Sequence, residues 1–218
     1  MFKLFKGRVE RKAKFQRNTK ETAISCSLNI DGKGSIQIST GIGFLDHMLE
    51  LFAFHGLFDL RLNARGDLKV DLHHTNEDIG IVLGQAVKKA LGNMQGVSRF
   101  GFASAPMEDV LANVTLDIGG RGHFSGISVN FGPSAVVVNE NYTWNDVEHF
   151  FESFAKQSGI NLIIKVEINT ATLAQKSGSL DIHTVLEPVF KAFGLALRQA
   201  ASIDSRRKGV PSTKGIID

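Results

Sequence analysis

The sequence predicts an α+β chain built from two fused, pseudo-symmetric lobes. Two internal matches and a repeated alternation of strand and helix patterns predict it. A shift of 110 positions lays His73 on His183, Glu77 on Glu187, Gly84 on Gly194, Ala86 on Ala196 and Ala90 on Ala200. A shift of 102 lays His47 on His149, Glu50 on Glu152, Phe52 on Phe154 and Ala53 on Ala155. Two matches in the same order mark two copies of a unit far longer than a solenoid repeat. The halves fall at about 17–95 and 98–202, followed by a tail at 203–218. Each is expected to form a roughly four-stranded sheet with two helices on one face, and the two sheets can share one helical layer.

In the first copy, 22-TAISCSLNI-30 and 34-GSIQIST-40 flank Asp31-Gly32-Lys33, which reads as a hairpin. Residues 44–56 have helical periodicity and stop at Gly56, a candidate C-cap. The stretch 57-LFDLRLNA-64 alternates like a half-buried strand, and a second helix starts near Asp71 or Thr75. The second copy repeats the order: a hairpin from 109–118 and 123–131, a helix at 144–157, a strand at 160–168 and a helix at about 183–200. The phenylalanines lie in apolar helical stripes and read as core, which argues against a nucleic-acid surface.

Composition narrows the function classes. A chain of 218 residues can bury one substantial core. No apolar run reaches membrane-span length, and the start MFKLFKGRVERKAKF is too charged for a secretory signal. It reads as a basic arm or edge strand. One cysteine, Cys26, excludes an internal disulfide and fits the cytoplasm. A net charge of +3 does not call for nucleic acid.

The histidines carry the chemistry. Of seven, five (His47, His73, His74, His149, His183) fall at repeat-related positions, with Glu77 and Glu187 beside them. One helical turn brings His73 or His74 onto Glu77, whereas consecutive residues diverge by about 100° and serve different ions. Imidazole nitrogen with carboxylate oxygen suits manganese, iron or zinc. The competing explanation of 73-HHTNE-77 is a helix start in which Thr75 and Asp78 form a capping box. That would explain the acids but not the echoed histidines. His55 and His123 lack such partners and read as structural or surface residues.

The segments 41-GIGFLDHMLELFAFHGLFDL-60, 66-GDLKVDLHHTNEDIGIVLGQA-86, 98-SRFG-101, 105-APMED-109, 116-LDIGGRG-122, 148-EHFFESFA-155, 187-EPVFKAF-193 and 211-PSTKG-215 together resemble imidazoleglycerol-phosphate dehydratase. The resemblance spans nearly the whole chain. It implies a ribosomal protein S5 domain 2-like fold in each lobe. It also implies a large homo-oligomer, a 24-mer, with active sites between subunits, and two Mn2+ ions per site. The implied reaction removes water from imidazole glycerol phosphate to give imidazole acetol phosphate in histidine biosynthesis. On this resemblance His47, His73, His74, Glu77, His149, His183 and Glu187 ligate metal, and Glu21 is the acid/base. Arg99, Arg121, Lys191, Ser212 and Lys214 hold the substrate phosphate, with the tail ordered over it. One ion is expected to take His149, His183, Glu187 and one of the first histidine pair, the other His47, Glu77 and the remaining member.

The chain departs from the family pattern around the second copy. Thr184 stands where a ligand histidine is expected, which predicts a weakened ion. Ile163 replaces a usual histidine, the stretch 166–182 is longer and different, and 107-MED-109 reverses an acidic order. Two alternatives therefore stand beside the dehydratase: an impaired paralogue with a binding or assembly role, and a dimetal phosphoesterase.

Overall fold

The computed structural model describes residues 11–130, 136–137, 141–169 and 180–217. The basic opening up to residue 10 and most of the divergent 166–182 stretch lie outside them. Among the described residues ten strands and four helices follow in order: β1 (Lys12–Asn18), β2 (Thr22–Asn29), β3 (Ile36–Ser39), α1 (Gly43–Gly56), β4 (Asp59–Gly66) and α2 (His73–Leu91). Then come β5 (Phe100–Met107), β6 (Val110–Asp117), β7 (His123–Val129), β8 (Val136–Val137), α3 (Trp144–Ser158), β9 (Asn161–Ile168), β10 (Leu180–Asp181) and α4 (Ile182–Ala201).

The main sheets have the orders β1-β2-β4-β3 and β5-β6-β9-β7, and β8 pairs with β10 in a short parallel ribbon. Both four-stranded sheets run antiparallel, antiparallel, parallel across their width. The fold is α+β with one topology used twice.

The expected hairpins are corrected by this topology. β2 does not pair with β3, nor β6 with β7; β4 and β9 lie between them. The true hairpins are β1–β2 and β5–β6, while β3–α1–β4 and β7–α3–β9 are parallel crossovers whose helix returns the chain beside its starting strand. The Asp31–Ser35 turn is pinned on β4: Asp59 Oδ1 accepts the N–H groups of Lys33 and Ser35 at 2.8 and 3.0 Å.

Alternation along the strands sends Ile24, Cys26, Leu28, Leu60 and Leu62 inward from one sheet, and Ala112, Val114, Leu116, Leu162 and Ile164 from the other. The four helices form the layer between. Phe52, Phe150, Phe151, Phe154, Phe190 and Phe193 are fully buried there. Phe52 stacks on Phe193 at 4.7 Å, so the phenylalanine stripes are core. Among the described residues no helix is long and apolar enough to cross a membrane.

Two local expectations also change. The α1 C-cap is Leu57 in the left-handed region, and Gly56 is the last helical residue. A Cβ at Gly56 would strike the Phe58 ring, so the glycine is needed for packing rather than capping. At α2 no side-chain capping bond forms. Asp78 instead accepts from Arg17 Nε at 2.7 Å and Thr22 Oγ1 at 2.5 Å, tying the helix to its sheet.

Candidate metal centres

Helix pairing across the two halves builds the site. α1 packs on α4 and α2 on α3. Glycine permits both approaches: a Cβ at Gly84 would meet the Phe154 carbonyl, and one at Gly194 the Phe52 carbonyl. These residues are the repeat-matched pairs, so each crossing is a copy of the other. Close backbone contact then sets histidines of one half against those of the other.

On the α1–α4 pair, His47 Nε2 and His183 Nε2 lie 3.6 and 3.2 Å from Glu187 Oε2. The two rings stack at 5.2 Å, 14° from parallel. One donor atom from each of the three residues falls within 4.8 Å of the others. The start of α4 is fixed by Asp181, whose carboxylate accepts the His183 N–H at 3.0 Å. Lys191 Nζ holds the other oxygen of Glu187 at 2.6 Å. Burial pushes the Glu187 carboxyl up, but Lys191, His183 and His47 outweigh it and leave it below the ordinary range. The result is an ionised carboxylate, oriented by an ammonium, facing two imidazoles: an N, N, O set suited to a divalent ion.

On the α2–α3 pair, His73 Nε2 lies 3.6 Å from Glu77 Oε2. Its Nδ1 shares a 3.0 Å hydrogen bond with His149 Nδ1, the rings lying edge to face at 4.5 Å. Asn145 Nδ2 approaches the same His149 nitrogen at 3.4 Å. A cavity of about 210 Å³ opens here, lined by His73, Glu77, His149, Glu152 and Lys156 among others. His149 and His73 therefore form the counterpart of His47 and His183.

Within one chain, His149 neighbours His73 and Glu77, and His47 neighbours His183 and Glu187. Helix packing decides this, because each half's first helix meets the other half's second. His74 joins neither group. Its Nδ1 lies 3.2 Å from Asp67 Oδ2 and 3.9 Å from Glu21 Oε2. The Asp67 hydrogen bond and then the Glu21 charge hold the imidazole above its ordinary pKa. Thr184 is its repeat-matched counterpart on α4.

Glu21 sits in the β1–β2 turn, with its N–H on Thr19 Oγ1 at 3.1 Å. Arg99 has a left-handed backbone (φ 78) and grips Asp117 with Nε at 2.6 Å and an Nη at 3.0 Å. Its other Nη donates to the Pro211 carbonyl at 2.9 Å, which docks the tail on the second lobe. Ser212 Oγ accepts the Lys214 N–H at 3.2 Å, so Ser212 and Lys214 lie along the chain from that anchor. Arg121 is exposed in the loop before β7. Lys191 is held on Glu187. His55 leans edge-on against Phe54 and His123 is exposed on β7. Sequence reasoning missed Asp67 as the holder of His74, since an acid after a glycine reads only as a turn.

A family model described as imidazoleglycerol-phosphate dehydratase matches residues 40–197. A relative of that name from Methanocella arvoryzae is 46% identical over 207 residues, 95% of this chain and all of its own length. Another, from Thermoanaerobacter sp., is 47% identical over 207 residues with the same coverage. Among solved structures, the Pyrococcus furiosus protein in complex with (S)-C348 superposes with a TM-score of 0.72 at 31% identity, over 93% of this chain and 99% of that one. The Staphylococcus aureus enzyme gives 0.66 at 30%, over 88% and 99%.

Proposed function

Because the chain belongs to the imidazoleglycerol-phosphate dehydratase family, we propose that it converts imidazole glycerol phosphate to imidazole acetol phosphate and water, in the cytoplasm, with two Mn2+ per site. The observation that carries this reading is the convergence of His47, His183 and Glu187 donors within 4.8 Å. Its repeat-related counterpart is His73, Glu77 and His149. Divalent ions bound at these groups supply a positive sink for charge that builds on the substrate's imidazole ring.

The chain's own residues do the rest. Glu21 takes a proton from the substrate side chain as hydroxide leaves the neighbouring carbon. Arg99, Arg121, Ser212 and Lys214 hold the phosphate with planar forks, a point charge and a hydroxyl, and the docked tail excludes water. Lys191, beside Glu187, places a further cation at the metal end. His74 stands apart from its own helix's donors, which fits a centre completed by another copy of the chain in a 24-mer.

Thr184 favours a second reading, in which one centre lacks an imidazole and the chain binds substrate with little turnover. Assay of the Mn2+-loaded protein separates the two. The dehydratase reading expects imidazole acetol phosphate, with turnover lowered about 10²–10⁴-fold by Glu21→Gln. Absent turnover by the metal-loaded assembly, restored by Thr184→His, would establish the second reading. Release of inorganic phosphate would instead indicate a dimetal phosphoesterase.

A further inference from the structure

The two donor groups are related by the duplication, yet each is supported differently. Around Glu187 the support is the Lys191 ammonium, and the residue matching Lys191 in α2 is Ile81. Around His73 the support is a polar pair in the core. Asn76 and Tyr142 are both 0% exposed. The Tyr142 hydroxyl donates to Asn76 Oδ1 at 2.8 Å, and Asn76 Nδ2 donates to the Asp146 carbonyl at 2.7 Å. The residue matching Asn76 in α4 is the buried apolar Leu186, so this pair has no equivalent in the other group.

The placement gives the pair a mechanical role. Asn76 precedes Glu77 and lies in the same helical turn as His73. Asp146 lies in the first turn of α3, one turn before His149, where Thr143 and Asp146 form a reciprocal capping box. Asn76 thus clamps the first turn of α2 to the first turn of α3, at the point where the His73 and His149 rings meet at 3.0 Å. Tyr142 fixes the amide: with its oxygen accepting from the phenol, its nitrogen must face the Asp146 carbonyl. Burial, with Asp146 adding, pushes the phenol well above its ordinary range, so it stays a donor. The Tyr142 ring stacks on Phe44 at 5.1 Å, and Phe44 lies edge-on to His183 at 6.2 Å. Removing only the hydroxyl leaves that stacking in place.

We propose that Asn76 and Tyr142 are positioning residues that set the His73–His149 separation, and so the metal affinity of that centre alone. This rests on reading both donor groups as metal centres. The test is Mn2+ equilibrium dialysis on the full chain, with the two classes of bound ion assigned by His149→Ala and His47→Ala. Tyr142→Phe is expected to weaken the His149 class about tenfold, within the range for outer partners of metal ligands, and leave the His47 class unchanged. Asn76→Leu/Tyr142→Phe removes both partners together and recovers Tm. Affinity at the His149 class is expected to stay low in this double variant, because the clamp is gone. Affinity that never changes, or that recovers in step with Tm, would overturn the proposal by showing a purely structural pair. Wild-type protein that binds no Mn2+ would overturn the metal reading itself.

Discussion

The α1–α4 and α2–α3 helix pairs show what a duplicated fold keeps and what it releases. Both keep the glycine under a partner carbonyl, two histidines and one carboxylate. They differ in everything around those donors: Lys191 against Ile81, Leu186 against Asn76, Thr184 against His74. The sheets behind them diverge further. The outer face of the first carries Lys14, Ser27, Arg61 and Gln37 in one row, whereas the second exposes Phe102 (70%) and Ile163 (46%) across Thr115. Backbone approach is demanding because atoms at van der Waals contact leave no slack. The chemistry around the donors is free to drift as long as each donor keeps some support.

The largest effect should follow from breaking the shared element. Gly194→Ala and Gly84→Ala each insert a methyl group against a helix carbonyl. Each should destabilise by about 1–3 kcal/mol through overpacking. For a chain of this size that lowers Tm by roughly 2–4 °C per kcal/mol. Gly194→Ala should cost more, since its Cβ would come closer to its carbonyl. Calorimetry of the two variants checks the order. A neutral result at either crossing would mean that the two crossings are not copies.

A smaller effect should separate the two supports by pH. The Glu187 carboxyl lies below its ordinary range because Lys191 and the histidines outweigh burial. A depressed carboxylate adds stability above its unfolded pKa and loses it as pH falls through the folded one. Lys191→Met removes the largest of the causes that oppose burial, so the carboxyl moves back up. The Tm gap between wild type and variant, measured without metal, should be widest near neutrality and close as pH falls through the depressed pKa of the folded state. A gap constant with pH would show that Lys191 acts through packing alone.

These comparisons also show what the sequence could carry. The i,i+4 pairs His73–Glu77 and His183–Glu187 were legible because one helical turn fixes them. Gly84 and Gly194 were legible as a matched pair, though not as points of contact. Strand partners were not legible: alternation and an Asp-Gly turn define a strand and its end, and do not say which strand lies beside it. Nor was the in-chain pairing of His47 with His183 and of His149 with His73. It depends on which helices cross, a long-range property with no local periodicity. The capping box failed because Asp78 makes stronger bonds to Arg17 and Thr22 across the lobe.

The subtlest prediction asks whether the halves are separable at all. Cys26 is the chain's one cysteine, 3% exposed beneath the first sheet, with burial pushing its thiol up to about 12. Trp144, the one tryptophan, is half-buried at the start of α3 in the second half. If each lobe were its own folding unit, thiol labelling and tryptophan fluorescence would give different denaturation curves. Yet each helix packs on a helix from the other half, so neither sheet keeps its apolar cover once the other half opens. The two curves should therefore superimpose in metal-free protein, with no labelling of Cys26 under native conditions. A thiol that labels before the fluorescence changes would show that the first lobe opens alone, and that the shared helical layer is weaker than its interdigitation implies.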